Sequence, residues 1–318
     1  MNIRLNIPEE FFREEEKCGY TVSAETKKVW AVALDLLNEF DKVCHENNFN
    51  YFIAYGTLLG AIRHGGFIPW DDDVDLVMPR NDYDRLCAMA DENFRPPYFF
   101  QTEKTDPGFS RPFARLRNSE TTAFQKIEDY KKISYNQGIF IDIFPMDSFP
   151  DAESDQKRFK EELMKAKRRM LRFSRFTTRF KRQEAHSVGD HMKNMVKDCS
   201  SLLTRRLLRT FRIGNPFVTE FEKLEQRYRG TMTDSCCVPF FFSPQRQIIW
   251  KKSCFNGTVS VAFEMLTVPA PSGYEEILST CYGNWHVPEM KNTVHGSMFF
   301  DADHSYRDYL SALRKPNF

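Results

Sequence analysis

The sequence predicts a mixed α/β (α+β) fold, a mixed sheet core with a helical insertion, and three observations carry that reading. Short apolar runs alternate with amphipathic stretches through the first 150 residues. An acidic run, Trp70-Asp71-Asp72-Asp73-Val74-Asp75-Leu76-Val77-Met78, sits among them with the pattern of a strand. Between 157 and 182 the texture changes, with twelve Lys or Arg against Glu161 and Glu162. At 318 residues, 41% apolar and 28% charged, the chain has material for one large domain or two modest ones. Its net charge of +1 gives no global bias towards nucleic acid.

Residues 1–24 read as an N-terminal arm. Met1–Lys17 mixes Arg4, Glu9, Glu10, Arg13 and Glu14–Glu16, without the apolar stretch of a secretory signal. Residues 25–150 read as the catalytic core. Glu25–Asn48 predicts a helix, because Val29, Val32, Ala33, Leu36, Leu37, Phe40, Val43 and Cys44 recur at 3.6-residue spacing. Tyr51–Tyr55 predicts a short buried strand, and Gly56-Thr57 a turn into a helical turn or two over Leu58–Arg63. Gly65-Gly66 breaks that, a second strand runs from about Asp72 to Met78, and Pro79 stops it. Asn81–Asp91 reads as a helix, and Phe113–Arg117 and Gly138–Phe144 as strands.

Residues 151–235 read as a basic helical region, with helical composition to about Phe211 and again over Phe217–Arg229. Residues 236–318 are expected to complete the catalytic domain with short strands around Phe240 and Val259, a helix over Tyr274–Tyr282 and a polar tail. The eight cysteines show no C-x-x-C pair and no zinc spacing, which predicts buried reduced thiols in a cytoplasmic protein. No run of about 18 uncharged apolar residues offers a membrane span.

The acids carry the chemistry. Four carboxylates in five positions repel one another unless a cation is present. On a strand Asp71, Asp73 and Asp75 share one face and Asp72 takes the other. Hard oxygen ligands on one face suit Mg2+ or Mn2+ held between protein and substrate phosphates. An EF-hand loop would need Gly where Leu76 stands, and a solvated acidic turn would not explain the apolar flanks. Gly56-Thr57, about 15 residues earlier, offers amides and a hydroxyl for phosphate oxygens. A Gly-Ser/Thr turn followed by h-D-x-D-h resembles the nucleotidyltransferase arrangement, which implies a nucleotidyltransferase-like core. That fold takes a third carboxylate from a neighbouring strand, and Asp142 within Phe140-Ile141-Asp142-Ile143-Phe144 offers one, an acid that needs either a metal or a basic partner in a structural salt bridge.

The resemblance extends beyond the fold motif. Tyr51–Leu86 resembles the LicD family, which includes fukutin-type proteins, and Gly138–Asp147 resembles its second block. Arg115-Leu116-Arg117 with Thr121-Thr122 resembles the basic segment between them. Val268-Pro269, Tyr282-Gly283-Asn284-Trp285, Pro288 and His295 resemble the C-terminal block. The likeness implies transfer of a phospho-alcohol, of phosphocholine or phosphoribitol type, from a CDP-linked donor to a hydroxyl of a surface-glycan precursor such as lipopolysaccharide or capsule. On that reading Asp73 and Asp75 hold magnesium, Asp71 assists, and Asp142 completes the metal site or takes the acceptor proton. Gly56, Thr57, Arg63, His64, Arg115 and Arg117 are candidates for the donor phosphates, and Tyr282 and His295 for the rim of the site.

Other readings stand beside this one. A metal-dependent glycosyltransferase also uses D-x-D, a nucleotidyltransferase proper would move the nucleotide itself, and a degenerate binding protein would use the pocket without chemistry. The basic stretch Lys157–Arg182 interleaves Phe159, Leu163, Met170, Leu171, Phe173, Phe176 and Phe180. It reads either as a solvated helix packed by its apolar side or as a peripheral foothold on the anionic inner face of a membrane, where a lipid-linked glycan acceptor would sit. No recognition motif points to nucleic acid.

Overall fold

The computed structural model describes residues 1–126, 133, 135–177, 199–204, 206–208, 210–211, 213–288 and 298–312. The chain enters through a hairpin, β1 (Glu15–Lys17) and β2 (Tyr20–Val22). Ser23 then caps helix α1 (Ala24–Glu46), accepting the Thr26 amide at 3.2 Å and so satisfying a donor the first turn leaves without a partner. The apolar stripe read from the sequence is the buried side of α1, with Trp30 added to it.

Next come β3 (Phe52–Ile53), α2 (Tyr55–His64), β4 (Asp75–Pro79), α3 (Arg80–Asn93), β5 (Tyr98–Gln101), β6 (Ala114–Asn118), β7 (Thr122–Gln125) and β8 (Ile139–Phe149). The eleven-residue β8 is the spine of a seven-stranded mixed sheet. β4 lies parallel to it, with Asp75 opposite Asp142. β6 pairs antiparallel with its first half, with Arg115 also opposite Asp142. β9 (Ser235–Cys237) pairs with its last three residues, and β3, β5 and β10 (Trp250–Lys251) extend the sheet from β4, β6 and β9. α1 packs on β8 and β6, and α3 on β4 and β8.

A second buried cluster lies beyond Phe149. Helix α4 (Glu153–Thr177) places Phe159, Leu163, Ala166 and Met170 against Val218 and Phe221 of α5 (Pro216–Glu225), with Phe149, Cys237 and Phe242 completing it. The hairpin β11 (Thr258–Phe263) and β12 (Leu266–Pro271), helix α6 (Tyr274–Tyr282), strand β13 (Met298–Asp301) against β7, and helix α7 (Tyr306–Ala312) follow. α6 packs against α2, so the C-terminal part of the chain closes over the core.

Three local expectations change. Phe240 is in no strand: Pro239 has no amide for a ladder, and Pro239–Phe241 tighten into a 3-10 turn. The acidic strand begins at Asp75, not near Asp72, because the 71–74 backbone is committed elsewhere. The Trp30 indole donates to Asp71 O at 2.8 Å, and the Asp71 amide donates to Ile68 O at 2.9 Å. Buried cysteine holds for Cys44, Cys236, Cys237 and Cys254, whereas Cys18 and Cys199 are exposed. Among the described residues no helix is long and apolar enough to cross a membrane.

Candidate active site

The acids meet the start of α2 at a sharp strand-to-helix elbow. Ala54 is extended, and Tyr55 has φ of 46°, the left-handed region that a bulky side chain adopts only under strain. Rings hold it there: Tyr55 lies 4.9 Å from Phe241, 5.5 Å from Trp250 and 6.2 Å from Phe144 between centroids. Gly56 and Thr57 are therefore not a turn but the first turn of α2, whose N-cap residue, Ala54, has no polar side chain to cap it. A Cβ on Gly56 would sit 2.6 Å from Asp71 Oδ2, so the missing side chain is what lets that carboxylate approach the positive end of the helix.

The loop that bears the acids is pinned from several sides. Thr57 Oγ1 accepts the Asp75 amide at 2.8 Å, and the Ala54 amide donates to Asp75 O at 2.9 Å. The Asp142 amide donates to Val74 O at 2.9 Å. Carboxylate oxygens of Asp71, Asp72 and Asp73 lie within 4.8 Å of one another. Asp72 thus belongs to the cluster that strand alternation would exclude it from, since 71–74 are not strand and two-residue periodicity does not apply. Burial, then Asp75, Asp71, Asp72 and Asp142, push the Asp73 carboxyl well above the usual range. A divalent cation would offset that repulsion, and an all-carboxylate donor set fits Mg2+ or Mn2+.

Asp71, Asp73 and Asp75 line one side of a cleft of about 430 Å³, with Gly56 beside them. Among the described residues two cations line it as well. Arg63 is oriented by bonds from Nη1 to Trp285 O and from Nε to His64 Nε2, both 2.9 Å. Arg246, for which the sequence gave no signal, stacks its guanidinium 5.7 Å from the Tyr55 ring centroid and 5.9 Å from that of Phe241. It sits in a turn where the Ser243 amide donates to Arg246 O and the Arg246 amide to Ser243 Oγ. A lone Arg after Ser-Pro-Gln matches no motif, so only the fold brings it to the acids. Tyr282 and Trp285 from the C-terminal part close the rim. Burial, then Cys281 and Asp75, raise the Tyr282 phenol, which stays a neutral donor.

The remaining candidates lie elsewhere. Asp142, beside Asp75 in the sheet, is gripped by Arg115 through Nε at 2.5 Å and Nη2 at 3.2 Å. Asp75, Asp142 and Arg115 therefore form a row across three strands, and the Arg115 guanidinium lies 3.6 Å over the Phe140 ring. Arg117 is buried, donating to Gln101 Oε1 and Gly138 O, and is not part of the cleft wall. His64 has its pKa pushed down to about 4 by burial, Arg63 and Lys17, so it is a neutral imidazole at physiological pH. His295 lies outside the described residues.

Comparison with known proteins bears on this geometry. Residues 48–183 match the family described as LicD/FKTN/FKRP, nucleotidyltransferase domain. They form a LicD-family domain. Over 256 residues the chain is 28% identical to the lipopolysaccharide cholinephosphotransferase LicD of Haemophilus influenzae, covering 80% of this chain and 88% of that protein. An uncharacterised protein of Rickettsia prowazekii is 30% identical over 118 residues, 37% of this chain and 42% of its own length. While the C-terminal likeness at Val268–His295 lies outside it, the LicD-family domain runs from β3 through α4, past the dense motif likeness that ends at Pro150. It contains the acids, Arg63, Arg115 and Asp142, whereas Arg246, Tyr282 and Trp285 come to the cleft from beyond it.

Proposed function

We propose that this chain transfers a phospho-alcohol, with phosphocholine foremost, from a CDP-linked donor to a hydroxyl of a surface-glycan precursor. The observation that carries the reading is a single cleft in which Asp71, Asp73 and Asp75 line a wall beside the start of α2, with Arg63 and Arg246 in the same lining. The similarity to a protein named as a lipopolysaccharide cholinephosphotransferase supports it.

Asp73 and Asp75 would hold Mg2+ or Mn2+, with Asp71 assisting. Bound there, the metal supplies positive charge to the oxygens of the donor diphosphate. Arg63 and Arg246 bind the same oxygens, and the planar fork of each guanidinium suits that geometry. The positive end of the α2 dipole faces the same cleft. Asp142 completes the metal site or takes the acceptor proton. The Arg115 fork engages both of its oxygens, so either role requires Arg115 to share or release them. Trp70, Tyr282 and Trp285 line the cleft, and aromatic faces attract a quaternary ammonium more than a polyol, which supports choline over ribitol.

The test is a donor panel. The protein with Mg2+ and a glycan acceptor is given CDP-choline, CDP-ribitol and a set of nucleotide-sugars while nucleotide products are followed. CMP released from a CDP-alcohol is the expected outcome. Consumption of a nucleotide-sugar alone would replace this reading with a glycosyltransferase.

A further inference from the structure

We propose that the outer side of α4 and the helical stretch after it form a docking surface for an anionic lipid bilayer. The apolar side of α4 is already used: Phe159, Leu163 and Met170 are buried against α5. What α4 presents outward is charge. Its ion pairs among the described residues are Arg158–Asp155, Arg169–Glu220 and Glu162–Arg227. Lys165, Arg168, Arg172 and Arg175 are exposed and have no such pair among those residues.

The apolar component comes from the next segment. Leu203, Leu207 and Phe211 are spaced four apart, one stripe of a helix, and are 62%, 58% and 66% exposed. Leu202 and Ile213 are exposed beside them. The Phe211 amide bonds Leu207 O at 3.0 Å, as helical spacing requires. Both ends of the segment are tied to the last turns of α4. Ser201 Oγ donates to Phe176 O at 2.7 Å, and Asn215 Nδ2 to Met170 O at 3.1 Å. The segment that bears the exposed stripe is therefore held against the last turns of α4, which carry Arg172, Arg175 and the 39%-exposed Phe176.

A soluble partner of opposite charge would explain the cations but not a row of bare leucines. The described Arg206 is exposed between the stripe residues, and the sequence from 199 to 219 contains no acid. Apolar residues amid Lys and Arg on an exposed helix match the interface of an anionic bilayer, where side chains insert and cations meet headgroups.

The test uses the full-length protein and vesicles of phosphatidylcholine with or without phosphatidylglycerol. Cosedimentation with the anionic vesicles is expected, with little on pure phosphatidylcholine. Raising salt from about 0.1 M to about 1 M should weaken binding, leaving a residue due to insertion. Each basic side chain is worth roughly fivefold in partitioning. Reversing Lys165, Arg168, Arg172 and Arg175 to Glu should thus lower it by two orders of magnitude or more. The triple variant Leu203→Ser, Leu207→Ser, Phe211→Ser should remove the salt-resistant part while circular dichroism and melting stay those of the parent. Three results would overturn the proposal: equal binding to neutral and anionic vesicles, no binding to either, or a dimer in sedimentation velocity that the triple variant converts to monomer. Tighter binding to a random oligonucleotide than to the anionic vesicles would equally assign the surface to another partner.

Discussion

At the residue scale the account rests on like charges held together on purpose. Asp73 has its carboxyl raised by burial and by four neighbouring carboxylates. A carboxyl raised in the folded state stabilises the protein at low pH, and that contribution is lost as pH rises through its folded pKa. Asp73→Asn should therefore leave the metal-free protein as stable as the parent or more so at neutral pH, and abolish transfer. Melting with and without Mg2+ separates these, since the variant should also lose the metal-dependent rise. Gly56→Ala tests the neighbouring contact. Its Cβ would meet Asp71 Oδ2 at 2.6 Å, so the carboxylate must move. We expect kcat/KM to fall at least about tenfold with a stability loss of about 1 kcal/mol, the central scale for point substitutions. Arg246→Lys keeps the charge but loses the planar stack on Tyr55 and Phe241. It should raise the donor KM with little change in kcat, and an unchanged KM would remove Arg246 from donor binding.

At the scale of elements, the joint between the two buried clusters is an ion triad. Arg80 at the start of α3 bonds both oxygens of Asp147 on β8 and reaches Glu225 on α5 at 3.4 Å. Burial pushes the Glu225 carboxyl well above its ordinary value, with Asp147 adding to it and Arg80 opposing. One cation facing two buried acids predicts an asymmetric response. Arg80→Leu strands both carboxylates and should cost about 3–5 kcal/mol. Glu225→Gln should be neutral or stabilising near pH 7–8, because it removes a charge that the parent accommodates poorly as pH rises. Urea unfolding across pH measures both, and a large loss for Glu225→Gln would mean the carboxylate is an obligatory partner of Arg80. Much of this level was readable in advance. The stripe of α1, the span of α6 and the strand bearing Asp142 follow from periodicity, which reports burial directly. The start of β4 was not readable, because it depends on the Trp30 indole 41 positions away. Nor was the elbow at Tyr55, where packing by distant rings overrides the local preference against a left-handed bulky residue.

At the scale of the molecule, charge is segregated: residues 157–182 carry a net +10 in a chain whose total is +1. The acids gather at one cleft while α4 presents its cations outward. Residues close in sequence announced the acids, since D-x-D is a local pattern. Arg246 became visible only when the chain was folded, because no motif announces it, and the 203–211 stripe has helical spacing in the sequence but shows its exposure only in the structure. Ligand linkage gives a global prediction. A metal that binds the folded state alone raises Tm, and carboxylate ligands must be deprotonated to take it. The Mg2+-dependent rise should accordingly grow from pH 5 to pH 8 and vanish in Asp75→Asn. The most direct measurement is the fate of a CDP-choline donor radiolabelled in the phosphate next to choline. The account predicts that the label passes to the acceptor and CMP leaves unlabelled, with Mg2+ and not with a chelator, and not in Asp75→Asn. Label released as phosphocholine with CMP joined to the acceptor, or undiminished transfer in the chelator, would contradict it.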